Sequence, residues 1–238
     1  MSPLSRFYAP FHPLLLSSLF AASFPQLVRS PIDTLSASII PLVALQSLYL
    51  VTCLPAAGTA SGTSSTALSG SSGSDVKERK RHASHSQLTL ARRISTSILS
   101  LLIPVIVGTP LLYTLTVLFG APLTTHTLET LLLAAHMSIL AGAPLVYVHG
   151  MDGGKWAQIV GLSMPWDGVF GGSLGVLVGA WFGAVPIPLD WDRAWQAYPI
   201  TIITGAYIGY AVFSLLGRCP GIRGKVIRFN DEKVEKSA

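Results

Sequence analysis

Six apolar stretches, separated by polar connections, dominate this 238-residue chain. They cover 11–28, 34–54, 96–119, 128–148, 168–185 and 199–216. A helix needs about 20 mainly apolar residues to cross a bilayer core. Only helices and closed barrels satisfy their backbone inside lipid, and runs of this length are helical rather than strand-like. The pattern therefore predicts an all-α, polytopic membrane bundle of about six transmembrane helices. The first stretch is the most broken, holding His12, Pro13 and Pro25. A cleaved leader is its competing reading, because Arg6 precedes the apolar run and Ala21, Ala22 and Ser23 are small. The later spans keep their polarity in either case.

The chain divides into a two-span segment (1–54), a Gly/Ser-rich and basic linker (55–95), a four-span core (96–217) and a tail (218–238). Ala56–Ser74 is almost entirely Ala, Gly, Ser and Thr, with no apolar face to bury, so it reads as a disordered tether. Pro104 and Pro110 each remove a backbone donor from the third span, which predicts a kink there; Pro144 does the same in the fourth. Between His149 and Asp167, apolar Met151, Trp156, Ile159, Val160 and Leu162 mix with Asp152 and Lys155. That mixture fits a short interfacial helix.

Charge sets the orientation. Half of the residues are hydrophobic and only 11% are charged, with mean hydropathy +0.55, whereas soluble domains are about a quarter charged. With six spans, fourteen of the sixteen lysines and arginines fall on one side, leaving Arg29 and Arg193 opposite. Positive charge stays cytosolic, so both termini are expected in the cytosol and the 186–198 loop on the lumenal or external face. The net charge of +5 comes largely from clusters beside the membrane. The run Lys77-Glu78-Arg79-Lys80-Arg81-His82 could be read as a nucleic-acid patch, but beside a span it marks the cytosolic face and meets anionic lipid. Nucleic acid is not an expected partner. Cys53 and Cys219 show no metal spacing, and their reducing side argues against a disulfide. Cys219 stands where palmitoylation could occur, although an inert thiol is the simpler reading.

Two places carry candidate chemistry. Glu129 and His136 lie seven residues apart on one face of the fourth span, with His126 one turn earlier. Such a set could relay protons or bind a metal, but a histidine among apolar neighbours commonly makes one interhelical hydrogen bond instead. The second place is the loop Leu189-Asp190-Trp191-Asp192-Arg193-Ala194, followed by Trp195. Its aspartates could work as an acid/base pair or hold a divalent ion, and Arg193 could clamp a phosphate. Alternatively Arg193 pairs with an aspartate while Trp191 and Trp195 anchor the turn among headgroups. Structure or subunit contact, headgroup binding and catalysis all stay open on these residues. No phosphate-cradling glycine loop, paired metal-spaced histidines or room for a folded extramembrane catalytic domain is present, and no cofactor is implied.

Gly171, Gly175, Gly179 and Gly183 recur at every fourth position of the fifth span, and Gly205 and Gly209 repeat the step in the sixth. A bare strip of this kind lets another helix backbone approach closely. These six glycines are the expected packing surface.

From Gly179 through Ala180-Trp181-Phe182-Gly183-Ala184-Val185-Pro186-Ile187-Pro188-Leu189-Asp190-Trp191-Asp192-Arg193, then Trp195-Gln196 and Pro199-Ile200, the chain resembles the PIG-F family of glycosylphosphatidylinositol (GPI) anchor biosynthesis proteins. The resemblance is strong over about 136–217 and little more than hydropathy across the first two spans. Ala194 stands where the family usually has Pro, and Tyr198 where it usually has Trp. The resemblance implies a multi-pass endoplasmic reticulum protein that is not itself a transferase. It implies a subunit that binds and stabilises the enzymes adding ethanolamine phosphate to mannoses of the GPI precursor, the PIG-O and PIG-G catalytic subunits. Asp190, Trp191, Asp192, Arg193 and Trp195 then become the expected contact with partner or lipid headgroup. An independent membrane enzyme acting on phospholipid headgroups and a small lipid transporter are the competing readings.

Overall fold

The computed structural model describes residues 3–58, 90–189 and 191–227. Most of the 55–95 linker, the basic run from Lys77 to His82, Asp190 and the tail from Arg228 lie outside the described residues.

The fold is all-helical. Helices α1 (Pro3–Arg29) and α2 (Pro31–Cys53) form a hairpin joined at Ser30. Pro31 suits the first turn of α2, where its missing N–H would have no intrahelical partner anyway. Helix α3 (Leu90–Leu118) is followed by α4 (Thr127–His149), the short α5 (Gly153–Val160), α6 (Gly168–Ala184) and α7 (Ile200–Leu216). Four of these, α1 to α4, are long and apolar enough to cross a membrane. Helices α6 and α7 are apolar too, at 17 residues each, about 25 Å of helix. A modest mismatch of that size is absorbed by the bilayer.

Helix α4 is the hub, packing against α2, α3, α6 and α7. Its Leu133, Met137 and Leu140 join Leu42 of α2, Val176 of α6 and Ile203 of α7 in the main apolar core. By contrast α3 lies at the periphery, with Ile106, Val107 and Leu118 exposed. A face this apolar needs hydrocarbon around it.

Between Pro104 and Gly108, α3 widens into one π-helical turn. The Pro104 carbonyl is met by the Thr109 N–H and by the Ser138 hydroxyl of α4. The predicted irregularity is thus a π-turn braced by a neighbouring helix, a common remedy where proline breaks the ladder. The stretch expected to hold a short helix contains α5. Asp152 caps it by accepting from the Gly154 and Lys155 N–H groups at 2.9 and 3.3 Å, and Met151 and Val160 stay exposed at its ends.

Candidate functional site

The turn between α6 and α7 is built by its prolines. Pro186 and Pro188 have no N–H, so α6 cannot propagate past Ala184. The chain continues in tight three-residue steps, with Val185, Ile187 and Leu189 donating to Phe182, Ala184 and Pro186 at 3.1–3.2 Å. Asp192 adopts φ +48°, a left-handed conformation that Asp tolerates better than most residues. A single 3₁₀ turn, Ala194–Gln196, then leads toward α7.

Gln196 holds this turn together. Its buried side-chain Nε2 donates to the Pro186 and Leu189 carbonyls. A carboxamide carries two N–H donors, matched here to two carbonyls that each also accept one backbone N–H, from Leu189 at 3.1 Å and from Trp191 at 2.8 Å. The expected alternative, an Arg193–aspartate pair, does not occur with Asp192: among the described residues these two form no ion pair. Both side chains are exposed, as are Trp191 and Trp195. The two indoles sit 5.9 Å apart at 57°. The loop therefore presents two aromatic rings, a carboxylate and a guanidinium outward from a floor that Gln196 braces. Asp190, the remaining charge expected there, lies outside the described residues.

The far end of the turn is tied to α4. Tyr198 Oη lies 2.7 Å from Thr130 Oγ1, which itself donates to the His126 carbonyl at 2.7 Å. The Thr130 proton is used by His126, so Tyr198 is the donor to Thr130. Burial raises the Tyr198 phenol above its ordinary pKa, partly opposed by the Thr130 hydrogen bond. Close by, Glu129 pairs with His126 at 3.2 Å.

Four of the six glycines form two facing pairs, Gly175 with Gly209 and Gly179 with Gly205. A Cβ on Gly171 would come within 2.6 Å of the Phe213 carbonyl. One on Gly175 would strike the Gly209 carbonyl, one on Gly179 that of Gly205, and one on Gly183 that of Thr201. Each four-residue step up α6 thus matches a four-residue step down α7. Gly205 and Gly209 answer reciprocally against Gly179 and Gly175. The two backbones touch along the whole antiparallel hairpin, so this strip lies within the chain. At its base, Asp167 caps α6 through Val169 and Phe170 N–H at 2.8 and 2.7 Å. Trp166 exchanges backbone hydrogen bonds with Gly224 and Lys225.

Glu129 and His136 do not meet. His136 is fully buried, with Nδ1 2.8 Å from the Leu132 carbonyl and Nε2 3.0 Å from Ser38 Oγ of α2. A carbonyl only accepts, so Nδ1 carries the proton and Nε2 accepts from Ser38: one interhelical hydrogen bond. The same hydroxyl lies 3.0 Å from the Leu35 carbonyl, a competing acceptor on its own helix.

Sequence reasoning missed a second polar interior. Gln46 of α2 donates from Nε2 to the Ile139 carbonyl of α4 at 3.2 Å, which fixes its amide orientation. Gln46 Oε1 therefore accepts from His12 Nε2 at 2.8 Å, and His12 Nδ1 accepts from Tyr8 at 3.3 Å. His12 also stacks on Tyr49 at 4.1 Å, and Tyr49 Oη accepts from Arg218 at 2.7 Å. The network joins α1, α2 and α4 and reaches Arg218, two residues past the end of α7. The signal that could have found it is the presence of His12 and Gln46 inside apolar spans, where polar side chains need partners.

Among the described residues no three His, Cys, Asp or Glu side chains converge in a way that could hold a metal ion. Cys53 is buried and Cys219 exposed, both as free thiols.

These features define a polytopic helical membrane protein with a glycine-seamed hairpin and a braced polar turn. The chain belongs to the GPI biosynthesis protein family Pig-F, whose profile matches residues 11–218. It is 41% identical to glycosylphosphatidylinositol anchor biosynthesis protein 11 of Aspergillus fumigatus, over 98% of this chain and 86% of that one. It is 40% identical to the protein of the same name from Neurospora crassa, over 86% of this chain and 71% of that one. A shorter stretch is 39% identical to the human GPI ethanolamine phosphate transferase, stabilizing subunit, covering 40% of this chain and 45% of the human one. No solved structure matches the chain.

Proposed function

We propose that this protein is a non-catalytic subunit of the endoplasmic reticulum membrane. It binds and stabilises the transferases that add ethanolamine phosphate to mannoses of the GPI precursor. The observation that carries this reading is the likeness to the human stabilizing subunit, within a family named for GPI biosynthesis. The geometry supports it. The Gln196 brace gives the turn a fixed shape, while Trp191, Asp192, Arg193 and Trp195 point away from the bundle, available to another surface. Aromatic residues and Arg are the side chains most enriched where proteins meet.

The partners in this reading are PIG-O-like and PIG-G-like catalytic subunits, together with membrane lipids around the turn. The charge distribution supports cytosolic termini and a lumenal 186–198 loop. The six glycines serve the reading indirectly, by holding α6 and α7 together so that the turn between them is presented as one rigid unit.

Mild-detergent purification of a tagged chain, followed by identification of co-purifying proteins, tests the proposal. An ethanolamine-phosphate transferase is expected, and its abundance should fall when this chain is depleted. Transfer activity by the purified chain alone would overturn the reading in favour of an independent enzyme.

A further inference from the structure

Helices α1 and α2 leave a pocket of about 210 Å³ between them. Ser23 and Gln26 of α1 line it, with Thr34 and Ser38 of α2 opposite and Tyr207 of α7 reaching in from the bundle. It starts within about one turn of Ser30, at Gln26 and Thr34, and includes Ser38, eight residues or about 12 Å of helix from that turn.

Two polar groups in this pocket lack partners of opposite kind. Tyr207 is only 4% exposed, and its ring stacks on Phe20 at 4.3 Å. Its hydroxyl makes no hydrogen bond among the described residues, yet it is not sealed in as the unpaired Tyr147 and Thr201 hydroxyls are. It therefore opens on the pocket as a donor without an acceptor. Pro41 also lines the pocket and has no N–H to give the Ala37 carbonyl one helical turn earlier, which leaves an acceptor without its helical donor. Ser38 adds a third group. Its one proton is shared between His136 Nε2 at 3.0 Å and the Leu35 carbonyl at 3.0 Å, so its oxygen can still accept.

These groups select the occupant. Hydrocarbon satisfies neither a hydroxyl nor a carbonyl. No charged side chain lines the pocket, so nothing in it complements a phosphate or a metal ion. Water both accepts and donates and needs two to four polar partners, and the volume holds about seven molecules at about 30 Å³ each.

We propose that this pocket is a recess filled by water that enters from the membrane surface beside Ser30. Water accepts from Tyr207 Oη and donates to the Ala37 carbonyl and to Ser38 Oγ. Through Ser38, the buried His136 imidazole then stands one hydroxyl away from solvent.

Single cysteines test this in the full chain lacking Cys53 and Cys219, held in phosphatidylcholine nanodiscs so that both faces meet the reagent. The probe is methanethiosulfonate-ethyltrimethylammonium, whose permanent charge keeps it out of hydrocarbon. Ala37→Cys opens on the pocket, whereas the exposed Ser36 and Ile40 lie outside it, and cysteines there are the controls. The reacting species is the thiolate, which needs water, so Ala37→Cys should react at least about tenfold faster than either control. Ser23→Cys, on the α1 wall, should match it and serves alone if Ala37→Cys does not fold. Tyr207→Phe keeps the ring stack and removes the hydroxyl. In a dry pocket this deletes an unsatisfied group and raises the melting temperature; in a wet one it deletes a hydrogen bond, and the melting temperature holds or falls. Pocket cysteines that react no faster than the controls, as a lipid chain filling the pocket would cause, or a higher melting temperature in Tyr207→Phe, would overturn the proposal. No transferase takes part and both faces are open, so the result is independent of the subunit reading and of orientation.

Discussion

Tyr198 donates to Thr130 across 2.7 Å, joining the end of the α6–α7 turn to the first turn of α4. The bond anchors the turn to the most buried part of the bundle. Tyr198→Phe keeps the ring and removes only the hydroxyl, while Thr130 retains its own acceptor in the His126 carbonyl. The expected loss is about 0.5–1.5 kcal/mol, seen as a lower melting temperature in detergent. Partner co-purification should fall only modestly. An unchanged melting temperature would show that the turn is positioned without this tether.

The glycine seam yields a sharper expectation. A side chain on Gly179 runs into the Gly205 backbone, which has no flexible end to move aside. Overpacking costs about 1–3 kcal/mol even where side chains can adjust, and lipid offers no hydrophobic drive to re-close the helices. Gly179→Leu should therefore lose most folded protein, measured as monodisperse material after detergent extraction. Leu177→Ala, at an exposed position of the same helix, should be recovered normally. Normal recovery of Gly179→Leu would mean that α6 and α7 do not pack backbone to backbone.

His12 and Gln46 permit a double-mutant cycle. Gln46→Leu strands the His12 Nε2 proton, and His12→Phe strands Gln46 Oε1, so each single change leaves a buried polar atom unpaired. The double variant removes both and should be less damaging than the sum of the singles. A coupling of about 0.6 kcal/mol, and up to about 1.7, is expected from such pairs within membranes. Strict additivity in thermal denaturation would indicate that the two side chains do not interact.

What the sequence displays follows from range. The spans were legible because each is a continuous local pattern, and the end of α6 was legible because Pro186 and Pro188 leave it no donors. The π-turn was half legible: Pro104 announces a broken ladder, but the Ser138 hydroxyl that meets its carbonyl sits 34 residues away. His12 and Gln46, also 34 residues apart, could be flagged as polar residues in apolar segments but not paired. Gln196 was invisible for a different reason. In a loop dense with aspartates, arginine and tryptophans it reads as filler, and its importance appears only once the Pro186 and Leu189 carbonyls are placed around it. The glycine spacing was plain in sequence, whereas the one-to-one match of α6 with α7 required the antiparallel register.

Orientation can be tested directly. Single cysteines at Ser71 and Ala238, in a background lacking Cys53 and Cys219, should react with an impermeant maleimide from the cytosolic side. One at Ala194 should react only after the opposite compartment is opened. Labelling of Ala194 from the cytosol would invert the proposed topology and remove the turn from the side where it is proposed to meet its partners.

The last prediction separates the brace from the exposed charges at the turn. Gln196→Ala removes one of two donors from each of two carbonyls, which keep the Leu189 and Trp191 N–H groups, so about 0.5–1.5 kcal/mol is lost per hydrogen bond. The turn should lose its shape, and the amount of assembled transferase complex should fall. Arg193→Ala removes an exposed side chain that has no ion pair among the described residues, so it should shift stability by less than about 0.5 kcal/mol. If Arg193 contacts a partner or headgroup, assembly should still weaken while the isolated chain melts normally. In both variants the rate of ethanolamine-phosphate transfer, divided by the amount of co-purified complex, should stay near wild type, since an accessory subunit contributes shape and not a reacting group. A fall in that ratio of about a hundredfold in Arg193→Ala, the scale of losing a catalytic group, with assembly intact, would place Arg193 in the active site and overturn the accessory reading.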